Sequence, residues 1–340
     1  MRRKIKSLFK IAITFVTVGA IMVIAGLLMG GAGELSKEVT ELVHLVRVGV
    51  SESVERIPLL ERITNINGFT VDIDEFSVKI NEEYETIVGD YTNLSLADAS
   101  EVTNMDISVF NGTCRIVPSG NDCFGVQSVG AEEFQCYVAD GTLYLSVVPQ
   151  DLGDKEESEI TLYVPDGHIY QKVFLFCSAE QVEISASLKG DELSMSSICG
   201  SNIVNGEIDF DHTTITAGIG EFSVDTLVAD ELKLEVSTAE AVIENAEAGT
   251  MEVNLGMGNL EMKGITTGDI ILNCGMGHLD MDLACAQEDY NYDISGSAES
   301  VQIGTDTLAG MVMERWIDNG AERKIAMSCS MGSVAIEFDE

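Results

Sequence analysis

The sequence predicts an all-β chain: a single-stranded, β-helix-like β-solenoid with coils of ~19 residues. One N-terminal transmembrane helix and a short stalk helix precede it. Three observations predict this. VNLGMGNLEM begins at Val253, and nearly the same string, LNCGMGHLDM, begins at Leu272. Apolar residues keep that step in several columns at once and alternate with polar ones inside each turn. An uncharged run, residues 11–33, follows a basic N-terminus.

Composition sets the outer bounds. The chain has 340 residues, 45% of them hydrophobic, which is enough for a substantial core and argues against global disorder. Glycine is plentiful (32) and proline scarce (4), a balance suited to repeated tight corners. Five of the 19 basic residues (Arg2, Arg3, Lys4, Lys6 and Lys10) fall in a first decade free of acids, so the remainder is more acidic than the overall −38. Such a body repels phosphate backbones, which excludes nucleic acid as a partner. The acidity is read as solubility and self-repulsion between copies.

Residues 1–10 form a cytoplasmic basic tail and residues 11–33 a membrane anchor. At ~1.5 Å per helical residue the run crosses a ~30 Å hydrocarbon core. It is longer than a signal-peptide core, and its exit, GGAGE, is a poor cleavage site. The positive-inside rule keeps the tail cytoplasmic and places everything after Gly33 outside the membrane. Residues 34–63 form a helical juxtamembrane stalk, with Leu35, Val39, Leu42, Val43 and Val46 at helical spacing and Pro58 as its stop.

Residues 64–176 form an irregular β-rich first part of the head. NMDISVF, EEFQCYVADGTLYLSVV and EITLYVP alternate, with a hairpin turn at Asp140-Gly141. Residues 177–340 form the regular solenoid. Ile198, Ala217, Val236, Leu255 and Cys274 are evenly spaced, as are Ile203, Phe222, Ala241, Leu260 and Leu279 five residues later. Two residues further stand Val224, Ile243, Met262 and Met281, with Asn205 breaking the rule. Ile215, Leu234, Val253 and Leu272 form another column, with Ser196 as its exception. A corner column runs through Ile208, Leu227, Ala246, Ile265 and Ala284. Each repeat is thus two short strands joined by corners, and only stacking buries its apolar face. Glycine in GMG (256–258, 275–277) and GIG (218–220) is expected to supply positive φ at the corners.

The last coil, IAMSCSMGSVAIEF, matches IILNCGMGHLDMDL, with Cys329 on Cys274, Val334 on Leu279 and Ile336 on Met281. Ile294 is expected in a layer between them. An excursion near residues 305–324 reads as a hairpin with Asn319-Gly320 at its tip. Its Trp316, the sole tryptophan, is read as a cap on the stack.

The ordering of basic N-terminus, single span, β-rich region ending in TLYVP, glycine-cornered repeats and closing MGSVAIEF resembles the putative-adhesin family of bacterial β-strand-repeat domains of unknown function. The resemblance covers about residues 66–340. It implies a solenoid-like all-β fold on the cell envelope and brings no catalytic residues.

Little in the sequence carries chemistry. Cys177, Cys274 and Cys329 occupy an inward column where a thiol acts as a small hydrophobe. With Ile294 between them, Cys274 and Cys329 would be out of disulfide reach. Cys114 and Cys123, flanking RIVPSGND, are the best disulfide candidates, and C-x-x-C zinc spacing does not occur. His278 lies near Asp280 but shows no nucleophile beside it, so both read as a solvent-facing corner. Glu261 and Asp280 point outward one period apart, with Asp282 beside Lys263; this row reads as a solvated face rather than a Ca²⁺ site.

No catalytic, cofactor-binding or metal-binding residues are assigned. The function that follows is a non-enzymatic, single-pass extracytoplasmic protein, an adhesin or envelope scaffold. Its partners would be the membrane, through residues 11–33, and an envelope or surface protein or glycan. The alternatives are a carbohydrate-active enzyme on a β-helix and an envelope-stress sensor module.

Overall fold

The computed structural model describes residues 81–338, apart from residues 82, 111, 132, 148–157, 297–299 and 309–312. The basic tail, anchor and stalk assigned to residues 1–63 lie outside the described residues. Among the described residues no helix is long and apolar enough to cross a membrane. The rest is all-β: a single open sheet of 22 strands.

Alternation makes the coils and in-register pairing stacks them. In the middle of the chain, single strands such as Glu221–Val236 and Glu240–Leu255 run through both faces of a coil. Each pairs in parallel with the next. On the first face Ala217, Val236, Leu255 and Cys274 stand directly opposite one another, as do Ile215, Leu234, Val253 and Leu272. On the second face so do Phe222, Ala241, Leu260 and Leu279, and Val224, Ile243, Met262 and Met281. These columns are buried, Leu234 and Val253 completely. Full burial of one such side chain contributes about 1.5–3 kcal/mol.

The constant step fails below Ala217. Ala217 faces Ser197 rather than Ile198, and Phe222 faces Asn202 rather than Ile203. The cause is a bulge between Val204 and Glu207, which gives the earlier coil one more residue. The two apparent exceptions vanish with it: Val204 stands opposite Val224 and Met195 opposite Ile215. In exchange, Ser197 and Asn202 point inward, 3% and 1% exposed. Asn202 Nδ2 donates to Ser197 Oγ at 2.5 Å. A second irregularity, between Ile243 and Ala246, sets Gly264 opposite Ala246 and Leu283 opposite Gly264. Ile265 and Ala284 therefore leave the corner column and are exposed.

The corner glycines have a different reason from the one expected. Gly218, Gly256, Gly258, Gly275 and Gly277 all lie outside the left-handed region, and Gly220 alone of the three motifs has φ +110°. What forbids a side chain is the neighbouring coil. A Cβ on Gly275 would stand 2.8 Å from the carbonyl oxygen of Gly256.

Layer order departs from chain order at both ends. Arg323–Cys329 lies between Ile270–Cys274 and Tyr290–Gly296, and Ser333–Phe338 between His278–Leu283 and Ser300–Ile303. Cys329 is therefore the direct neighbour of Cys274, and Ile294 lies beyond both rather than between them. At the other end Asn104–Val109 lies between Thr142–Val147 and Ile169–Cys177, and Thr113–Pro118 between Glu159–Val164 and Gln181–Ile184. Each inserted coil carries an arginine that ties both neighbours. Arg115 pairs with Glu159 on one side and, at 3.3 Å, with Glu183 on the other. Arg323 donates to the Thr266 carbonyl at 2.6 Å, meets Asp289 at 3.0 Å and lies 4.4 Å over the buried Tyr290 ring.

Antiparallel strands close the terminal layers. Phe134–Ala139 borders Thr142–Val147 through a turn with positive φ at Asp140 and Gly141, the hairpin expected there. At the other end Met313–Ile317 lies against Tyr290–Gly296 and Asp306–Leu308 against Ser300–Ile303. The excursion is thus not one hairpin. Asn319-Gly320 instead turns the chain from one flank of Tyr290–Gly296 to the other. Met313–Ile317 caps the first face, but Trp316 itself faces outward, 58% exposed.

Candidate interaction face

In-register stacking also aligns the outward side chains. One row crosses the first face from end to end, through Tyr137, Tyr144, Asp106, Phe174, Ser194 and Thr214. It continues through Lys233, Glu252, Ile271, Ala326, Asp293 and Trp316. Both ends of the row are aromatic, and between them Asp106, Lys233, Glu252 and Asp293 are interspersed with hydroxyl and apolar side chains.

At the first end three tyrosines stack. The Tyr84 and Tyr137 rings are 3.8 Å apart and 6° from parallel, and Tyr137 and Tyr144 are 5.1 Å apart. The segment carrying Tyr84 is held by Gln135, which is 1% exposed; its Nε2 donates to the carbonyls of Asn81 and Tyr84. Partial burial raises the Tyr137 hydroxyl above its ordinary pKa.

Charges across the middle are paired along or between rows. Lys233 Nζ meets Glu235 at 2.8 Å, and that bond raises the lysine pKa. Lys172 meets Glu192 at 2.8 Å and His212 meets Glu231 at 3.2 Å. Asn273 donates to Asn254 at 2.8 Å. At the far end Lys324 reaches Asp293 at 2.9 Å and lies 5.5 Å from the Trp316 ring centre.

The second face holds the residues first singled out for chemistry. Glu261 and Asp280 stand opposite each other, Lys263 opposite Asp282, and Val242 ends the acidic row. Among the described residues no group of three or more His, Cys, Asp or Glu side chains is placed to hold a metal ion. His278 has a neighbour that the sequence did not reveal. Its Nδ1 is 2.5 Å from Ser333 Oγ and its Nε2 is 3.1 Å from Asp280 Oδ2. This serine–histidine–aspartate line lies on an open sheet face, with His278 and Asp280 half exposed. The backbone N–H groups beside it, from Gly277, His278, Gly332 and Ser333, are all given to carbonyls of adjoining coils. None is free to stabilise an oxyanion, the larger part of acyl-transfer catalysis.

All eight cysteines are free. Cys114 and Cys123 do not meet, because Glu159–Val164 lies between their strands. Cys114 is wholly buried, and Cys123 Sγ instead contacts Asp98 at 3.5 Å.

Sequence reasoning missed the tyrosine stack. Tyr137 and Tyr144 are equidistant from the Asp140-Gly141 turn, so hairpin pairing alone gives their contact. Tyr84 arrives from a segment without a periodic signal.

The profile of the Toastrack DUF4097 family matches residues 138–336, more than half of the chain. Among solved structures, a protein described as a putative adhesin from Bacteroides fragilis NCTC 9343 is similar at 14% identity and TM-score 0.42. The match covers 74% of this chain and 97% of that one. A putative adhesin from Parabacteroides distasonis ATCC 8503 matches at 11% identity and TM-score 0.42, over 74% and 98%. A putative cell adhesion protein from Clostridium sporogenes ATCC 15579 matches at 9% identity and TM-score 0.21, over 74% and 100%. No curated protein matches the chain.

Proposed function

This chain belongs to the Toastrack DUF4097 family, and we propose that it is a non-enzymatic interaction protein of the cell envelope, an adhesin or scaffold. Residues 11–33 anchor it in the membrane, the N-terminus is cytoplasmic, and the stacked coils stand outside. The first face meets a surface or envelope partner, a protein or a glycan.

One observation carries this reading: the outward row from Tyr137 to Trp316. Its side chains are held in register by the backbone ladder, so little entropy is lost when a flat partner settles on them. Aromatic groups at both ends supply large contact area with few rotatable bonds, the property that enriches tyrosine and tryptophan at interfaces. The row's charges Lys233, Glu252 and Asp293 are partnered by Glu235, Asn254 and Lys324 of adjacent rows, which lowers the cost of covering them.

The test compares cells bearing the full chain with cells bearing Tyr137→Ala/Tyr144→Ala or Trp316→Ala. Surface adhesion and cross-linked partner capture should fall in both variants at unchanged membrane abundance. Cells lacking residues 64–340 that adhere, respond to envelope stress and yield the same captured partners would end the proposal.

A further inference from the structure

The three GMG-type corners of the late coils stack directly on one another. Met276 N donates to the Gly256 carbonyl and Met331 N to the Gly275 carbonyl, both at 2.8 Å. Met257, Met276 and Met331 therefore occupy one corner position in three successive layers, ~4.8 Å apart along the stack. Chain order hides this, because Met331 joins the row only through the out-of-order insertion of the last coil.

Exposure sets these three apart. Among methionines with described side chains, Met105, Met195, Met251, Met262, Met281 and Met327 are 1–3% exposed. Met257, Met276 and Met331 are 39%, 44% and 62% exposed. Methionine is normally a buried gap-filler. Here every outward methionine among the described residues shares a single row, one residue wide. Gly256, Gly258, Gly275, Gly277 and Gly332 flank it and add almost no apolar area, so the row is too narrow to be a hydrophobic docking patch.

We propose that this row binds a soft monovalent metal ion, copper(I), through the three thioether sulfurs of Met257, Met276 and Met331. Thioethers are soft, uncharged donors that select copper(I) over the hard divalent cations an acidic surface otherwise attracts. Metal–sulfur bonds near 2.3 Å put three sulfurs around one ion about 4 Å apart. Neighbouring residues of the row are ~4.8 Å apart, so the two outer methionines start roughly 10 Å from each other and each must lean about 3 Å toward the middle one. The three rotatable bonds of each methionine close the difference, with the middle residue held and the outer two leaning toward it. The acidic character of the chain adds a general attraction for cations.

The test uses the full chain, purified in detergent under anaerobic conditions and labelled at methionine methyl carbons. Silver(I) is the redox-inert probe for the NMR titration, and copper(I) is measured by competition with a chromogenic chelator. The methyl signals of Met257, Met276 and Met331 should move together and saturate at one silver ion per chain, while those of the buried methionines stay in place. The triple variant Met257→Leu/Met276→Leu/Met331→Leu keeps side-chain volume at exposed positions and should lose at least about tenfold in copper(I) affinity. The inference is overturned if the three methyl signals do not move. It is equally overturned if the triple variant binds as tightly as the parent, since uptake would then belong to thiols such as Cys274 and Cys329.

Discussion

Gly277 offers the sharpest test of how the coils are held. A Cβ built there would lie 3.0 Å from Cγ and Cδ2 of Leu255 and closer still to the carbonyl oxygen of Gly258. That oxygen accepts the N–H of His278 at 3.1 Å, so a methyl group must push apart two coils joined by this bond. Overpacking against side chains costs about 1–3 kcal/mol, and a backbone obstacle that cannot rotate away belongs at the upper end, ~3 kcal/mol. Gly275→Ala, with its 2.8 Å approach to Gly256, should cost less, about 1–2 kcal/mol. Gly320→Ala is the control. Nothing lies within 4 Å of its Cβ, and its φ of +71° costs an alanine about 1–2 kcal/mol, partly offset by a stiffer unfolded chain. Amide hydrogen exchange read by mass spectrometry reports local opening, which suits a stack whose layers need not unfold together. Exchange across residues 256–264 and 278–283 should accelerate roughly a hundredfold in Gly277→Ala, at tenfold per ~1.4 kcal/mol. Acceleration below threefold, or an equal effect from Gly320→Ala, would refute close coil approach as the reason for these glycines.

Four further outcomes follow from the same contacts. Ser197→Ala should destabilise by about 1–3 kcal/mol in urea titration because it strands Asn202, whereas Ser197→Ala/Asn202→Val should stay within about 1 kcal/mol of the parent; equal losses would place the pair outside the core. Arg323→Ala should cost about 2–3 kcal/mol, with exchange rising first in residues 290–303, since it removes both the stacking on Tyr290 and the bond to Thr266. Burial pushes the Cys114, Cys136 and Cys274 thiols up to about 12 and raises Cys177 and Cys329 as well. At pH 8 these five groups are therefore protonated and Cys199 is shielded by burial, so intact mass after brief alkylation should show at most two adducts, on the partly exposed Cys123 and Cys285. Trp316 is the sole fluorophore of its kind, so its emission should be red-shifted and readily quenched by acrylamide; a shielded, blue-shifted band would restore its reading as a core cap.

Much of the fold could be read from residue spacing, and the failures are local. From Ala217 to Met281 four apolar columns follow the period, because the strands that carry them stay in direct opposition; the corner column alone is lost, to the irregularity between Ile243 and Ala246. One extra residue near Asn205-Gly206 moved the phase and made Ile198 and Ile203 look like core when Ser197 and Asn202 fill those places. A spacing rule cannot register a bulge, since the residue that bulges carries no special letter. The out-of-order coils were invisible for another reason. Cys329 matched Cys274 correctly, but only the structure shows that the intervening chain is laid outside both rather than between them. Ser333 reached His278 by the same route, so the site that looked incomplete in one dimension gained its third member in three.

That layering has a consequence for how such a chain is made. A polypeptide emerging N-terminus first presents the strands of residues 270–303 before Arg323–Cys329 and Ser333–Phe338, which lie between them, have been made. A message truncated near residue 322 therefore does not encode a shorter tower. It encodes one in which Ile270–Cys274, His278–Leu283, Tyr290–Gly296 and Ser300–Ile303 each lose a strand partner.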